Sequence, residues 1–363
     1  MVNVLFLGSS WTTNLGNAFV AQGAVNLLRE AVGSAGRVHH FGTMSSYLFW
    51  INDRPENNFN IAHAGRFDYV VIAGMVQNEP VYQCFEDAFR KFIANGARLV
   101  VLGGGAMRYD AEEARAVRAL MARTPVHAFA SRDRASFEQF GDLAPHSHDG
   151  IDCAFFVGDG FTPVPFQGGE FNAVCVDRYQ EPQLLNVADP GDVYAGGRRA
   201  RRPAKYGLKR RIRHALRRAV AKPRDALLPP PVASLDMEGR AVVRAHHTTW
   251  SEDLRPEFFQ SPRCLISDLP SDYLSVYAQA HTVYSDRVHA CIAALAFGRR
   301  AMWLRPGEPR IAMFARVGAP EITARPARLD MERLAAEKRK QVDFVRAALG
   351  LGASAAAPPG RPG

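Results

Sequence analysis

The sequence predicts an α/β protein built from two domains, each with a parallel β-sheet. Its 363 residues are enough for about two domains of this kind. Hydrophobic residues make up 47% of the chain and charged residues 22%, as is typical of a packed globular protein. Short apolar runs that end in glycine alternate with helix-like stretches, which indicates parallel strands buried on both faces.

The first half contains four such runs, at residues 2–7, 68–74, 98–103 and 126–130. Helix-like stretches at residues 18–28, 82–94 and 111–122 lie near them. Because ligands of parallel sheets bind beyond the carboxyl ends of the strands, the residues that follow each run are the first candidates for a site.

The second half repeats this organisation. It predicts strands at residues 172–176, 241–245, 264–267, 282–284 and 301–304, and helices at 271–280, 287–297 and 331–349. Proline and glycine interrupt the pattern near residues 164–169. We therefore expect a first domain at residues 1–166, a second at 167–349, a cleft between them, and a disordered tail at 350–363.

A basic insert at about residues 180–238 breaks the alternation in the second domain. Residues 198–224 hold 13 Lys and Arg and no Asp or Glu, so the net charge of +9 falls to 9 − 13 = −4 without them. Three uses stay open. A solvated insert is the plainest, a peripheral contact with anionic membrane lipid comes next, and binding of nucleic acid or another polyanion is the least favoured.

Several protein classes are disfavoured by the sequence. The apolar run at the N-terminus is too short for a signal peptide, and no apolar stretch approaches the ~20 residues that span a bilayer. We therefore expect a cytoplasmic protein, at most peripheral to the inner face of the cytoplasmic membrane. The five cysteines are scattered without zinc spacing, and the pair His246-His247 lacks a third ligand, so no metal or other cofactor is expected.

Two glycine-containing turns follow predicted strands. In the first, Asn14-Leu15-Gly16-Asn17, backbone N–H groups could face an anion, or Asn14 or Asn17 could simply cap the helix that follows. In the second, Gly103-Gly104-Gly105, the missing side chains permit unusual dihedral angles and close backbone approach. This second turn is either a ligand-facing loop or a tight turn.

Two charged turns complete the candidate site. Arg132 follows the strand at 126–130, where a guanidinium could bind a carboxylate or phosphate. Alternatively it pairs with Asp133 or Asp152, or Asp133 caps the next helix. The segment Ser285-Asp286-Arg287-Val288-His289-Ala290 follows another strand and opens an apolar helix. Helix N–H groups and Arg287 there suit an anion, and His289 can act as a general acid or base. Arg287 and His289 share a pocket only if the helix is just starting there.

These motifs together resemble the polysaccharide pyruvyl transferase family. The family opens on an N-x-G-D/N turn, here residues 14–17, and carries the three glycines 103–105. Next come R-D-x-x-S, here residues 132–136, and D-x-A-F, here 152–155. It closes on S/T-D-R-x-H-A, here residues 285–290, and A-x-x-x-G, here 294–298. The resemblance covers about residues 2–320 outside the basic insert.

The resemblance implies a GT-B-like fold of two Rossmann-like domains that face a cleft. It also implies phosphoenolpyruvate as donor and a sugar of a surface polysaccharide or glycolipid as acceptor, joined as a pyruvate ketal. By resemblance, His289 is the general acid and Arg287 and Arg132 hold the anionic groups. Asn14, Asn17, Gly104, Gly105 and Asp286 complete the predicted substrate-binding set.

Two departures from the family pattern concern charge. Asn17 stands where the family often has Asp. The family often places a Lys after the last strand, whereas this chain has Arg310, which can bind phosphate but is a poor proton donor. The alternatives are a nucleotide-sugar-dependent glycosyltransferase, for which Glu308 is the acidic residue that could hold the ribose, and a polyanion- or membrane-binding protein that is not an enzyme.

Overall fold

The computed structural model describes residues 1–8, 15–42, 65–74, 79–176, 236–237, 239–247, 262–305, 307 and 309–352. Within them it confirms the α/β class, because the chain forms two sheets that are almost entirely parallel and are covered by helices. The basic segment 198–224, Asn14, Glu308 and the tail beyond Gly352 lie outside the described residues.

The first sheet has six parallel strands in the order β2-β1-β3-β4-β5-β6. Its central strands are buried on both faces, since apolar side chains alternate into helical layers on either side. The strands are β1 Val2–Gly8, β2 Gly36–Gly42, β3 Tyr69–Ala73, β4 Arg98–Gly104, β5 Val126–Ser131 and β6 His146–His148. The helices that belong to them are α1 Leu15–Val32, α2 Glu79–Ala94, α3 Ala111–Met121 and α4 Arg134–Phe140.

The second sheet has the order β10-β9-β7-β11-β12, and a short strand, β8, pairs antiparallel with β9. Its strands are β7 Phe171–Cys175, β8 Asp236–Met237, β9 Arg240–Ala245, β10 Cys264–Leu265, β11 Thr282–Ser285 and β12 Arg300–Trp303. The helices are α5 Pro270–Gln279, α6 Val288–Ala296, α7 Ala312–Arg316 and α8 Met331–Ala348.

Helix α1 joins the two halves of the molecule. It is buried on nearly all sides, and it packs on α6, on α8 and on a short 3-10 helix at Cys153–Phe156. A Cβ atom at Gly23 would overlap the carbonyl of Cys153, so glycine is what allows this close approach. One apolar cluster therefore runs from the first sheet through α1 to α5 and α6.

Helix α8 crosses back to the first sheet, although the sequence pattern places it in the second domain. Gln341 accepts a hydrogen bond from the backbone N–H of Ile151 (2.7 Å), and Arg346 donates to the carbonyl of Ala31 (2.8 Å). The last element of the chain thus fastens the first unit as well as the second.

Two strands of the first sheet, β2 and β6, were not predicted, and both lie at its edges. β2 has the sequence Gly-Arg-Val-His-His-Phe-Gly, and β6 has the sequence His-Ser-His. An edge strand can carry such polar residues because few apolar side chains cover it, so neither strand shows the apolar run that was used for prediction. Predicted helix bounds differ from the observed ones by a few residues, most at α1, which spans Leu15–Val32 rather than residues 18–28. Among the described residues, no helix combines the length and apolar character that crossing a bilayer requires.

Candidate active site

The predicted site residues lie where parallel strands end. Gly104 closes β4, Arg132 follows β5, and Asp286 and Arg287 follow β11. In both sheets the residue just past the strand continues the pairing. The N–H of Arg132 donates to Gly104 (2.9 Å), and that of Asp286 donates to Cys175 (3.2 Å).

Arg132 is packed under the glycine-rich turn. Its side chain is 1% exposed, and its Nη2 donates to the carbonyl of Ala106 (2.8 Å) and to the hydroxyl of Tyr109 (3.2 Å). A Cβ atom at Gly105 would overlap the guanidinium. Gly105 is therefore needed so that the arginine can lie against the backbone, and the contact of Arg132 with substrate stays a prediction.

A carboxylate that was not singled out from the sequence organises the same turn. Glu113, which is buried in α3, accepts hydrogen bonds from the N–H groups of Met107, Arg108 (2.6 Å) and Tyr109 (2.9 Å). The hydroxyl of Tyr109 donates to Asp133 (2.7 Å). Only spatial proximity reveals this network, since Glu113 looks from the sequence like an ordinary first-turn helix residue.

Asp133 has the capping role that was the simpler sequence interpretation. Its side chain accepts from the N–H of Ser136 (2.7 Å) and so starts α4. The hydroxyl of Ser136 in turn accepts from the N–H of Ala106 (3.2 Å). The R-D-x-x-S motif thus ties the glycine-rich turn of β4 to the turn after β5.

The turn after β11 is more open. Ser285 donates to the carbonyl of Cys175 (2.7 Å) and accepts from the N–H of Arg287 (2.8 Å). Asp286 is buried at 1% exposure, whereas Arg287 and His289 are half-buried. Helix α6 begins at Val288, and Arg287 keeps extended dihedral angles (φ −98°, ψ 112°). The condition for Arg287 and His289 to share a pocket, a helix that is just starting, is met.

His289 faces a carboxylate from the other half of the chain. Its Nε2 lies 3.6 Å from Oδ2 of Asp152, slightly beyond hydrogen-bond length. Asp152 is fully buried, and its Oδ1 accepts from the N–H of Ala154 (2.8 Å), which caps the 3-10 helix at Cys153–Phe156. The D-x-A-F motif was identified in the sequence, but nothing in its spacing connects it to His289.

The charges around Asp152 favour its ionised form. Burial raises the pKa of this carboxyl group, but the contact with His289, the positive charges of His289 and Arg132, and the N–H of Ala154 together lower its pKa below the usual value. Arg132 shows the converse: burial lowers its pKa, while Tyr109, Asp152 and Asp133 outweigh burial and raise it. Arg132 and Asp152 are therefore buried groups of opposite charge, and each favours the ionised form of the other.

The remaining predicted residues are spread around these turns. Asn17 is half-buried in the first turn of α1, and the guanidinium of Arg310 lies 5.9 Å from the ring centroid of Trp303. His247, a lesser candidate, is buried against Tyr277, with 2.6 Å between Nε2 and the hydroxyl oxygen. In the described part of the chain, no group of three or more His, Cys, Asp or Glu side chains could hold a metal ion.

A separate polar cavity of about 460 Å³ lies near the carboxyl end of β6. Its lining includes Arg316, which pairs with both Asp149 and Glu337, and further basic side chains. It contains none of the predicted site residues, so it is not the candidate active site.

Comparisons with known proteins identify a family from the sequence and remote similarities from the structure. The sequence profile of the family described as "Polysaccharide pyruvyl transferase" matches residues 14–308. None of the curated protein sequences compared with this chain is significantly similar to it.

Solved structures that are similar to this chain include the following three, and all three are remote. MnaA of S. aureus in complex with UDP is 12% identical, with a TM-score of 0.46 and coverage of 97% of this chain and 98% of that one. A putative UDP-N-acetylglucosamine 2-epimerase from Listeria monocytogenes is 11% identical (TM-score 0.47; coverage 95% and 90%). The UDP-GlcNAc 2-epimerase from Neisseria meningitidis bound to UDP-GlcNAc is 12% identical (TM-score 0.45; coverage 95% and 94%).

The match to the family profile covers every strand of both sheets except β1, and it includes the turns after β4, β5 and β11. Its ordered motifs coincide with the buried Arg132–Asp133 network, with the cap at Asp152 and with the open turn at Ser285–His289. The chain belongs to the polysaccharide pyruvyl transferase family.

Proposed function

We propose that this transferase moves the pyruvyl group of phosphoenolpyruvate onto two hydroxyls of a sugar in a surface polysaccharide or glycolipid. The observation that carries the proposal is the turn after β11, where a half-buried arginine and a half-buried histidine adjoin the start of helix α6. Within the described residues no side chain caps this helix, so its first N–H groups and Arg287 suit an anion.

The donor's charges match these groups. Phosphoenolpyruvate carries a phosphate and a carboxylate, and Arg287, with Arg310 as the replacement for the family lysine, would bind them. Asp286, Gly104, Gly105, Asn14 and Asn17 would line the remainder of the substrate site. Arg132 would contribute mainly charge, because its guanidinium is held beneath the glycine-rich turn.

The chemistry requires one acid and two nucleophiles. His289 donates a proton to the CH₂ carbon of phosphoenolpyruvate, so that a C–H bond forms and C2 becomes electrophilic. One sugar hydroxyl adds at C2, phosphate leaves, and a second hydroxyl closes the ketal. Of the two protons that the hydroxyls lose, one restores the His289 imidazolium and the other leaves with the phosphate. Positioning the two hydroxyls and stabilising the positive charge at C2 supply the rest of the rate enhancement.

Incubation of the protein with phosphoenolpyruvate and a panel of free and lipid-linked sugars tests this function. Mass spectrometry should find an acceptor that has gained one pyruvyl ketal, with one phosphate released per product. A product that forms only from nucleotide sugars, and not from phosphoenolpyruvate, would instead support a glycosyltransferase.

We also propose that residues 198–224 bring the enzyme to the inner face of an anionic membrane, where a lipid-linked acceptor would lie. Their 13 basic residues support this, because each gains about 1 kcal/mol near such a surface. Cosedimentation with phosphatidylserine vesicles should be strong at low salt, should weaken as salt rises, and should be lost when residues 198–224 are deleted. Equal binding to neutral vesicles would contradict the proposal.

A further inference from the structure

We infer that Asp152 is a positioning residue that holds the Nε2 edge of the His289 imidazole, so that Nδ1 is the nitrogen that gives up the proton. The inference deepens the proposed function, since it rests on His289 as the general acid. It adds a residue from the first half of the chain to a site whose other acid–base group comes from the second.

The carboxylate of Asp152 and the imidazole of His289 each have one atom without a hydrogen-bond partner among the described residues. Oδ2 of Asp152 and Nε2 of His289 are both buried, and neither has a hydrogen-bond partner within the described part of the chain. They lie 3.6 Å apart. A buried polar atom without a partner is costly, so a small adjustment that closes this gap is favourable.

Asp152 is fixed in place before it meets the histidine. Its Oδ1 is engaged with the N–H of Ala154, and the short helix that it caps packs on α1 at Gly23 and on α6. Because α6 carries His289, the same contact that joins the two halves of the molecule also sets the distance between the carboxylate and the imidazole.

The surrounding charges keep Asp152 an acceptor. Arg132, buried nearby, offsets the negative charge, and the pKa of Asp152 lies below its usual value although burial opposes this. An ionised carboxylate accepts a hydrogen bond and donates none. It therefore selects the N–H at Nε2, and the tautomer of a histidine follows from the bond that one of its nitrogens makes.

The proton balance of the step follows from this arrangement. In the imidazolium both nitrogens carry hydrogen, with Nε2–H held by Asp152. The Nδ1–H bond breaks as the C–H bond forms on the CH₂ carbon of phosphoenolpyruvate, and a neutral imidazole with its hydrogen on Nε2 remains. Asp152 neither gains nor loses a proton.

Nitrogen-15 NMR on the full-length protein with labelled histidine tests the contact without any need for activity. The His289 signals, assigned by their loss in His289→Gln, should show the Nε2–H tautomer when the ring is neutral. Asp152→Asn keeps the acceptor for the N–H of Ala154 but can present N–H donors to the ring. The neutral ring should then change to the Nδ1–H tautomer.

Kinetics provide the second readout. In Asp152→Asn, kcat should fall by about tenfold or more, within the about 10²–10⁴-fold that a positioned acid contributes, while KM for phosphoenolpyruvate changes little. Asp159→Asn is the matched control, because Asp159 lies in the same segment but pairs with Lys338 (2.7 Å). It should leave both the tautomer and kcat unchanged.

Three results would overturn the inference: an Nδ1–H tautomer in the unmodified protein, an unchanged tautomer in Asp152→Asn, or a loss confined to KM. The first of these needs no variant, so it decides the matter even if Asp152→Asn folds poorly. If the unmodified protein transfers no pyruvyl group, the proposed function fails, while the tautomer still tests the contact with Asp152.

Discussion

Two turns of this molecule use the same three residue types in a different order. From the last residue of β5 the chain reads Ser-Arg-Asp, and from the last residue of β11 it reads Ser-Asp-Arg. In both, the residue after the serine extends the strand pairing through its backbone N–H and is 1% exposed, whether it is Arg132 or Asp286. The third residue differs: Asp133 is buried as a helix cap, whereas Arg287 is half-buried.

The order of the arginine and the aspartate in each turn determines which of the two charged side chains is accessible to solvent. In both turns the position next to the strand is buried, whichever charge it carries, and only in the second turn is the following position partly exposed. The first turn therefore turns its arginine inward, where it supports the glycine-rich turn and Asp152. The second leaves its arginine and its histidine partly accessible, and it is there that we place substrate binding.

The largest effect is expected at His289 in the open turn. In His289→Gln, the rate of pyruvyl transfer should fall by about 10²–10⁴-fold, because a glutamine amide cannot supply the proton. Mass spectrometry of the product measures the rate. His281→Gln is the control, since His281 immediately precedes the opposite end of the same strand, and it should retain activity. Full activity in His289→Gln would place the acid elsewhere.

Arg132 in the buried turn should govern stability. Arg132→Ala leaves Asp133 buried without its positive partner and removes one of the positive charges that act on Asp152. The loss of one member of a buried pair costs about 3–5 kcal/mol of unfolding free energy. Urea unfolding followed by circular dichroism measures it. Arg134→Ala, in the same turn but exposed, should change the midpoint little. If both variants unfold alike, the two arginines are equivalent and the comparison fails.

Arg287 should show the opposite behaviour. Arg287→Ala should leave the Tm without ligand nearly unchanged but weaken phosphoenolpyruvate binding by about 1.5–3 kcal/mol, the usual contribution of a hydrogen bond to a charged group. The rise in Tm with phosphoenolpyruvate reports binding. Arg325→Ala, an exposed arginine remote in sequence, is the control. A normal rise in Arg287→Ala would mean that the donor binds at another site.

The smallest effect is expected at Gly105. Gly105→Ala places a Cβ atom on the guanidinium of Arg132, which cannot move freely because Ala106 and Tyr109 hold it. Such overpacking costs about 1–3 kcal/mol. Gly168→Ala is the control, since nothing lies within 4 Å of a Cβ atom at that position. An unchanged urea midpoint in Gly105→Ala would show that the arginine is not needed beneath the turn.

The sequence alone predicted most of the fold. Apolar runs such as residues 68–74 and 98–103 identify buried parallel strands because a strand covered on both faces has no polar side to preserve. The same logic fails for β2 and β6, which lie at the edge and carry polar residues. The sequence predicted helix α8 but not its packing on the first sheet. An amphipathic pattern shows which face of a helix is buried, but not which part of the protein buries it.

Some features of the candidate site could likewise be predicted from the sequence, and others could not. The residue types, their order along the chain and their positions after strands were determined by the sequence, and they sufficed to indicate the family and to nominate Arg287 and His289. Tertiary structure alone decided that Arg132 lies inward, that Glu113 closes the glycine-rich turn, and that Asp152 faces His289. The physical reason is that local patterns follow from chain geometry over a few residues, whereas contacts between distant segments depend on how whole layers pack against α1.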